Sequence, residues 1–560
     1  MRQTSTEGWT NVKVPNAWNV GDDSNESMAG SIGWYRKDFE LPDARSALEW
    51  AVRFESVNYR TRVWLNGAPV GENRGAYIPF EFRLNGLKRR GVNRLVVRVD
   101  SRRLPTDFPP SGLSTNGVPT GGWWNYGGIL REVYLKKLDT VEFKTVQVRP
   151  RLAGGAADVG MNVVLRNVTG RTQRVTVSGR FGTQRVNLGT KTIGARGIAG
   201  FVDNLRIRRP RLWSPASPTL YEVSLDVRAG GRRVAGYDLH SGLRSIDVVN
   251  GRLTLNGRPV NLRGVGLHED NRTQGFAVDN GFRRWLVRET KALGGTMMRT
   301  HYPMHPYVHE LADREGLLIW SEIPVYAIKT ENLAKGLVRE LAAKELQRNI
   351  DANGNHPSVA LWSIANELSS RPGPVQGAYI ANAVRLAKTL DPTRPVGLAV
   401  AGYPTAGCQP EYGPLDVIGV NDYFGWYPGP SGTLFDRTGL SAYLDQVRTC
   451  YPNKAIMVSE FGAEANRDGP VEEKGTWAFQ QDFVNYHLGV FETKPWLSGA
   501  LYWALNEFRV RPGWEGGNPW PIPPIHQKGL VTYDDHVRKP AWADVNRHFA
   551  GTQQFGAPAR

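Results

Sequence analysis

Two β-sheet domains followed by a (β/α)8 barrel is the architecture this chain predicts, and three observations predict it. The chain has 560 residues, too many for one hydrophobic core, so several domains are expected. Its first 246 residues carry short runs rich in Val, Trp, Tyr and Phe, punctuated by Gly, Asn and Pro, which is the pattern of strands and tight turns. From about residue 247 the period changes, and eight strand-like runs follow, seven of them separated by helical stretches or longer loops.

In chain order, "WYRKDFELP", "ALEWAVRFESV", "RTRVWLNG" and "NRLVVRVD" are the strand runs of the first unit, residues 1–138. A segment at 102–122, "RRLPTDFPPSGLSTNGVPTGG", is too long for a hairpin connection, and loops of that length are often functional. Residues 139–246 read as a small sandwich, with "VEFKTVQVRPRL", "ADVGMNVVLRNV", "QRVTVSGRF" and "YEVSLDVRAG" alternating between turns at regular spacing. The third unit, 247–553, holds "VNLRGVG", "GTMMRTHY", "LLIWSEIP", "SVALWSIANE", "RPVGLAV", "DVIGVNDY", "AIMVSEFG" and "GALYWALNE". Between them lie helical patterns such as "FRRWLVRETKALG" and "NLAKGLVRELAAKELQRNI"; in the second, Leu333, Leu337, Leu341 and Leu346 approximate one apolar face. The fifth helix is the one the pattern does not supply, because 401–415 reads as loop, and residues 554–560 read as a tail.

Composition bounds the function classes. Hydrophobic content of 40% and charged content of 22% are ordinary for a globular protein. The net charge of +17 raises nucleic acid, membrane surface or an anionic substrate as partners. The basic residues are scattered, however, and the densest cluster, "RIRRPR" at 206–211, alternates like the exposed face of a strand, so neither nucleic acid nor membrane is expected as a partner. No run of 18 apolar residues occurs, and the first residues are polar rather than a charged-then-apolar leader. Localisation stays open: secreted or periplasmic if a leader was removed, cytoplasmic otherwise. The two cysteines, Cys408 and Cys450, form no metal motif and leave one disulfide open. His301, His305 and His309 are spaced by four, but Pro303 and Pro306 break a helix through them; the expectation is no metal, with one histidine at the site and two on the surface. No cofactor is expected, and homo-oligomerisation is left open.

The chemistry is carried by two strand ends. "LWSIANELSS" is an apolar run that stops on Asn366-Glu367, and "IMVSEFGAE" ends the same way on Glu460. In a (β/α)8 barrel both ends lie on the C-terminal rim, where active sites are built. Two carboxylates across a pocket suit glycoside hydrolysis, one attacking the anomeric carbon and the other protonating the leaving oxygen; a retaining enzyme needs them about 5–5.5 Å apart. Asn366 is placed to donate to the sugar 2-hydroxyl. Eighteen Trp and 20 Tyr are compatible with a ring-shaped ligand, although most must be core.

Nearly the whole chain resembles glycoside hydrolase family 2, the family of β-galactosidases, β-glucuronidases and β-mannosidases. "VWLNGAPVGENRGAYIPFEF" and "WWNYGGILREVYL" resemble its N-terminal jelly-roll domain, and "LWSPASPTLYEVSLDV" its immunoglobulin-like domain. "LNGRPVNLRGVGLHED", "HYPMHPYVHELADREGLLIWSEIP", "WSIANE" and "SEFGAE" resemble its barrel. The resemblance implies Glu367 as acid/base and Glu460 as nucleophile, without metal or cofactor. "NDYFGWY" at 421–427 is most similar to β-glucuronidases and implies Tyr423 and Tyr427 at the sugar, the first beside the nucleophile. His268, His301 and Trp503 also match sugar-site positions.

Three departures bear on specificity. The Asn-x-Lys pair that holds a uronate in glucuronidases is "HQK" here, so His526 replaces the asparagine while Lys528 remains; protonation of His526 below about pH 6.5 would add charge to the clamp. An aspartate before the "WWNYGG" segment is replaced by Gly122, and the family's Arg-Thr-Ser-His-Tyr-Pro is shortened to "RTHYP", so that Arg299 or His301 must sit differently. The chain also begins late relative to the family pattern, so a first strand is expected to be missing. The function these features imply is a retaining exo-β-glycosidase acting on β-glucuronides or β-galacturonides, with a β-galactosidase as the alternative within the family and a non-catalytic carbohydrate-binding protein as the alternative class.

Overall fold

The computed structural model describes residues 8–45, 48–114, 116–401, 407–428 and 436–556. The first sandwich pairs a four-stranded sheet (Ile32–Phe39, Asn93–Asp100, Arg60–Leu65, Ala68–Arg74) with a three-stranded one (Val133–Leu138, Glu49–Phe54, Phe80–Arg83). Alternate residues of both sheets, among them Phe54, Val63, Phe80, Val97 and Val99, fill the space between them. The second sandwich follows the same rule, with sheets of three and four strands around Val163, Val177, Phe201 and Leu225. "RIRRPR" lies where alternation predicts: Arg206 and Arg208 point outward and Ile207 inward.

The barrel closes from β1 (Leu262–Gly266) through β2 (Met297–Thr300), β3 (Leu318–Glu322), β4 (Val359–Asn366), β5 (Val396–Ala401), β6 (Val417–Asp422) and β7 (Ala455–Phe461) to β8 (Gly499–Trp503), which pairs in parallel with β1. All eight residues of β4 are buried. This is why its sequence is a near-continuous apolar run: a parallel strand is covered on both faces. Around it pack α1 (Asn280–Ala292), α2 (Pro306–Glu315), α3 (Gly336–Asn353), α4 (Gly373–Leu390), α5 (Leu440–Cys450), α6 (Trp477–Glu492) and α7 (Ala541–Gly551). Among the described residues only a 3-10 turn, Pro410–Tyr412, lies between β5 and β6, in keeping with the loop reading; 402–406 lie outside the described residues.

The apolar stripe read on the third helix is corrected. Leu337 is 75% exposed, and Leu333 belongs to a separate short helix, Thr330–Leu333. The buried face of α3 runs through Val338, Leu341, Ala342, Leu346 and Ile350, one position on from Leu337. A leucine at the first turn, next to the Gly336 start, takes no part in the 3.6-residue period that follows.

His305 and His309 are also not surface residues. His305 caps α2 through its Nδ1, with Pro306 in the first turn where a missing N–H costs nothing, and its Nε2 lies 2.7 Å from Glu132 of the first domain. His309 is fully buried on α2. Cys408 and Cys450 are disulfide-bonded, tying the segment after β5 to the end of α5.

Candidate active site

The strands that carry the two glutamates lose regular register at their C-terminal ends. Pairing shifts between Ser363 and Asn366 on β4, between Val420 and Asn421 on β6, and between Val458 and Phe461 on β7. Such irregularities re-aim side chains at barrel rims. Glu367, just past β4, stands at φ +45°, a left-handed conformation that a residue with a Cβ adopts only at a cost of order 1–3 kcal/mol. Gly266, at the end of β1, is required by packing: a Cβ there would lie 2.2 Å from the Trp503 ring.

These ends enclose a cavity of about 330 Å³, lined by Asn366, Glu367, Asn421, Tyr423, Tyr427, Glu460, His301, Tyr326, Trp503, Phe508, Trp514, His526 and, from the first domain, Gly122. Both glutamates are therefore on one pocket, and they are held differently. Arg299 Nη1 donates to Glu460 Oε1 at 2.6 Å, and Tyr423 Oη donates to Oε2 at 2.7 Å, the contact expected of this tyrosine. Two donors, one of them a fixed cation, suit an anion that must attack along one direction. Among the described residues Glu367 receives a single side-chain hydrogen bond, from Asn421 Nδ2 at 2.9 Å. Burial first, and then the Glu460 charge, push its carboxyl above the usual carboxylate range. One carboxylate anchored by a cation and one biased toward its acid form is the division of labour that acid-assisted displacement needs.

Arg299 resolves the shortened "RTHYP". Its fully buried guanidinium spans Glu460, both oxygens of Glu322 at 3.1–3.3 Å and Asn366 Oδ1 at 2.7 Å, while His301 reaches the pocket wall above it. His301 Nδ1 lies 2.9 Å from Glu322 Oε1. Since a carboxylate only accepts, Nδ1 carries the proton. Burial alone would raise Glu322, but Arg299 and His301 hold it below the usual range. Asn366 Oδ1 accepts from both Arg299 and Asn421, which turns its Nδ2 away from that network as a donor.

Sequence reasoning missed Glu322, although "LLIWSEIP" ends a strand on glutamate as plainly as the other two, and it missed Asn421, whose amide bridges Glu367 and Asn366 while its Oδ1 accepts from Ser459. Tyr326 and Phe508 on the wall were also missed; nothing in their local sequence separates them from core aromatics.

Two expected residues stand behind the pocket rather than on it. His268 packs on Trp503 and His301, its Nδ1 lies 3.2 Å from Tyr302 Oη, and burial pushes its pKa well below that of a free histidine. Lys528 is fully buried; its Nζ donates to Tyr427 Oη at 2.5 Å and lies within 4.3–5.4 Å of the Tyr423, Trp426 and Tyr427 rings. Burial pushes it down to about 8, against the pull of Glu464. His526 does line the pocket, stacked on Phe508 at 4.5 Å. The expectation that it protonates under mildly acidic conditions is corrected: burial, with Lys528 beside it, pushes its pKa well below 6.5. Gly122 faces Trp514, where an added Cβ would sit 3.3 Å from the indole, and Trp514 fills the wall there. His301, His305 and His309 do not converge, and no group of three metal-ligating side chains occurs among the described residues.

Comparison with known proteins bears on the whole chain. Family models match residues 1–139 ("Glycosyl hydrolases family 2, sugar binding domain"), 141–244 ("Glycosyl hydrolases family 2") and 246–510 ("Glycosyl hydrolases family 2, TIM barrel domain"). A β-glucuronidase of Bacteroides fragilis is 28% identical over 95% of this chain and 77% of its own length. Among solved structures, a family 2 β-galacturonidase of Eisenbergiella tayi bound to galacturonate superposes with a TM-score of 0.87 at 24% identity, covering 99% of this chain and 95% of that one. A Bifidobacterium dentium β-glucuronidase complexed with coumarin-3-O-glucuronide gives 0.82 at 24%, covering 97% and 92%. At that identity the two structural likenesses speak to the fold.

Proposed function

The chain belongs to glycoside hydrolase family 2, and from that premise we propose that it is a retaining exo-β-glycosidase whose substrates are β-glucuronides or β-galacturonides. The observation that carries the reading is the unequal treatment of two glutamates on one cavity: Glu460 anchored by Arg299 and Tyr423, Glu367 held by one amide and biased toward its acid form. Glu460 attacks the anomeric carbon while Glu367 protonates the departing oxygen. Once Glu460 is an ester its charge is gone, and the repulsion that kept Glu367 protonated goes with it. Glu367, already ionised by the proton it gave to the leaving group, stays so, and takes a proton from water as the water oxygen attacks the anomeric carbon and releases the Glu460 carboxylate. Arg299 is kept as a cation by Glu322 and Glu460 despite its burial, so it can stabilise the carboxylate that leaves in the second step. Asn366, its carbonyl occupied, presents its Nδ2 to the sugar 2-hydroxyl.

The uronide reading is supported by the β-glucuronidases and β-galacturonidase the chain is similar to, and by the pocket wall at Tyr427. There Lys528 polarises the pocket-lining hydroxyl of Tyr427. β-Galactoside cleavage is the second reading; the full burial of Lys528 favours it, because the ammonium does not itself reach the cavity surface. Matched aryl β-glucuronide, β-galacturonide and β-galactoside assayed across pH decide between them. Higher kcat/KM on either uronide supports the first reading, and a galactoside preference replaces it with the second.

A further inference from the structure

A fourth glutamate stands behind the wall of the sugar pocket and takes no part in the reaction as drawn above. Glu464, four residues past Glu460, is fully buried. Its Oε1 accepts from Trp514 Nε1 at 3.4 Å and lies 3.9 Å from His526 Nε2, and both rings line the cavity. Its Oε2 has no hydrogen-bond partner among the described residues. Three ammonium groups face it. Lys539 is committed to Glu507 at 2.5 Å and to two backbone carbonyls, and Lys474 donates to the Trp426 carbonyl. Lys528 makes no ion pair within 4 Å among the described residues, and Glu464 is the carboxylate whose field acts on it most strongly. Glu464 and Lys528 are thus two buried charges more than 4 Å apart behind one stretch of the pocket wall, Lys528 touching Tyr427 and Glu464 touching Trp514 and His526.

We propose that Glu464 is the charge-balancing residue of the sugar site: ionised against Lys528 in the free enzyme, it takes up one proton when the carboxylate of a uronic acid enters beside Tyr427. This rests on the uronide reading given above. An incoming carboxylate would put two anions on one buried ammonium. In a low-dielectric site it costs less to neutralise one of them than to hold both. The balance is simple: Glu464 carboxylate, sugar carboxylate and one solvent proton give the Glu464 acid and the bound sugar carboxylate, with no covalent change in the sugar. Burial already pushes Glu464 above the usual carboxylate range, with Lys528 opposing, so little further is needed. Two neighbours are poorer proton acceptors below pH 7: His526 is held neutral by burial and by Lys528, and Lys528, pushed down to about 8, still carries its proton there. The residue therefore sets specificity through pH. A uronic acid binds best where Glu464 protonates easily, and its affinity falls by up to about tenfold per pH unit above that point, as one linked proton requires. A neutral sugar shows no such slope.

The test is calorimetric titration of the full chain with free D-glucuronate and D-galacturonate from pH 5 to 7, where Lys528 is already protonated, in buffers of differing ionisation enthalpy. Wild type is expected to take up close to one proton per acid bound, with Kd rising up to tenfold per pH unit. Glu464→Gln keeps an acceptor for Trp514 and is expected to take up no proton and to lose the slope; Glu464→Met carries the same expectation should that variant not fold. Glu464→Asp, which keeps a carboxyl group, restores the uptake. Binding of the acids to wild type without proton uptake, or full uptake in Glu464→Gln, overturns the inference and leaves the uronide reading standing. If neither acid binds at any pH while neutral β-galactosides are cleaved, the uronide reading itself falls, and this inference with it.

Discussion

Replacing Tyr423 by phenylalanine removes one atom from the site and tests how Glu460 is held. The phenol donates to Glu460 Oε2 at 2.7 Å, while the ring is fixed independently, edge-on to Tyr427 at 4.9 Å and 5.0 Å from the Lys528 ammonium. Phenylalanine keeps that packing, so the fold should be unaffected and the loss confined to the hydrogen bond. A hydrogen bond to a charged group contributes about 1.5–3 kcal/mol, which at about 1.4 kcal/mol per decade is roughly a ten- to hundredfold fall in kcat/KM. Activity should not vanish, because Arg299 still anchors the other oxygen at 2.6 Å. The assay is steady-state cleavage of an aryl β-glucuronide by Tyr423→Phe and wild type, with thermal melting of both. A kcat/KM within twofold of wild type would refute the argument that this contact orients the nucleophile. A loss accompanied by a large fall in Tm would instead make Tyr423 a packing residue.

Three further outcomes are expected. Glu367→Ala should slow poorly activated aryl leaving groups far more than activated ones, and should remove the part of the alkaline fall in wild-type kcat/KM that sets in where Glu367, raised above 4.5, loses its proton; equal losses across leaving groups would contradict its role as acid. Glu345, buried on α3 with one oxygen unpartnered among the described residues, is raised from 4.5 to about 7. A carboxyl raised on folding lends its stability in the protonated form, fully present below about pH 4.5 and lost as pH rises through 7, so Glu345→Gln should stabilise the protein at pH 8 by up to about 3 kcal/mol and little at pH 4; denaturant unfolding at the two pH values reads it, and equal effects at both would count against it. Reducing the Cys408–Cys450 bond, which closes a separation of 42 residues, should cost up to about 4 kcal/mol, seen as a lower Tm with reductant or in Cys450→Ser; an unchanged Tm would show that the cross-link constrains nothing in the unfolded chain.

The barrel was legible because buried parallel strands leave uninterrupted apolar runs such as "VALWSIAN", and because a charged residue at the end of such a run stands out. Glu367 and Glu460 were visible for that reason. Glu322 is written in the same way, yet it lies beneath the pocket, pinned by Arg299, His301, Trp320 and Ser363. A strand-end glutamate does not reveal from sequence whether it faces substrate or a buried cation. Asn421 escaped notice because its importance comes from a bridge between residues 54 and 55 positions away. Lys528 and His526 show the converse: the residue types were read correctly, but burial, invisible in the sequence, turns an expected direct contact into one relayed through Tyr427 and keeps an expected imidazolium neutral. Leu337 misled because a leucine at the right spacing is indistinguishable from a core position until the phase of the helix is fixed by its neighbours.

The central claim is that Glu460 forms a covalent glycosyl ester. Incubating the protein with a 2-deoxy-2-fluoro β-uronyl fluoride, whose fluorine slows hydrolysis of the ester, and mapping the adduct by peptide mass spectrometry tests it directly. One sugar per chain on the peptide containing Glu460, absent in Glu460→Ala and accompanied by stoichiometric loss of activity, is the predicted result. An adduct on Glu367 or elsewhere, or turnover of aryl β-glycosides by Glu460→Ala at the wild-type rate, would contradict it.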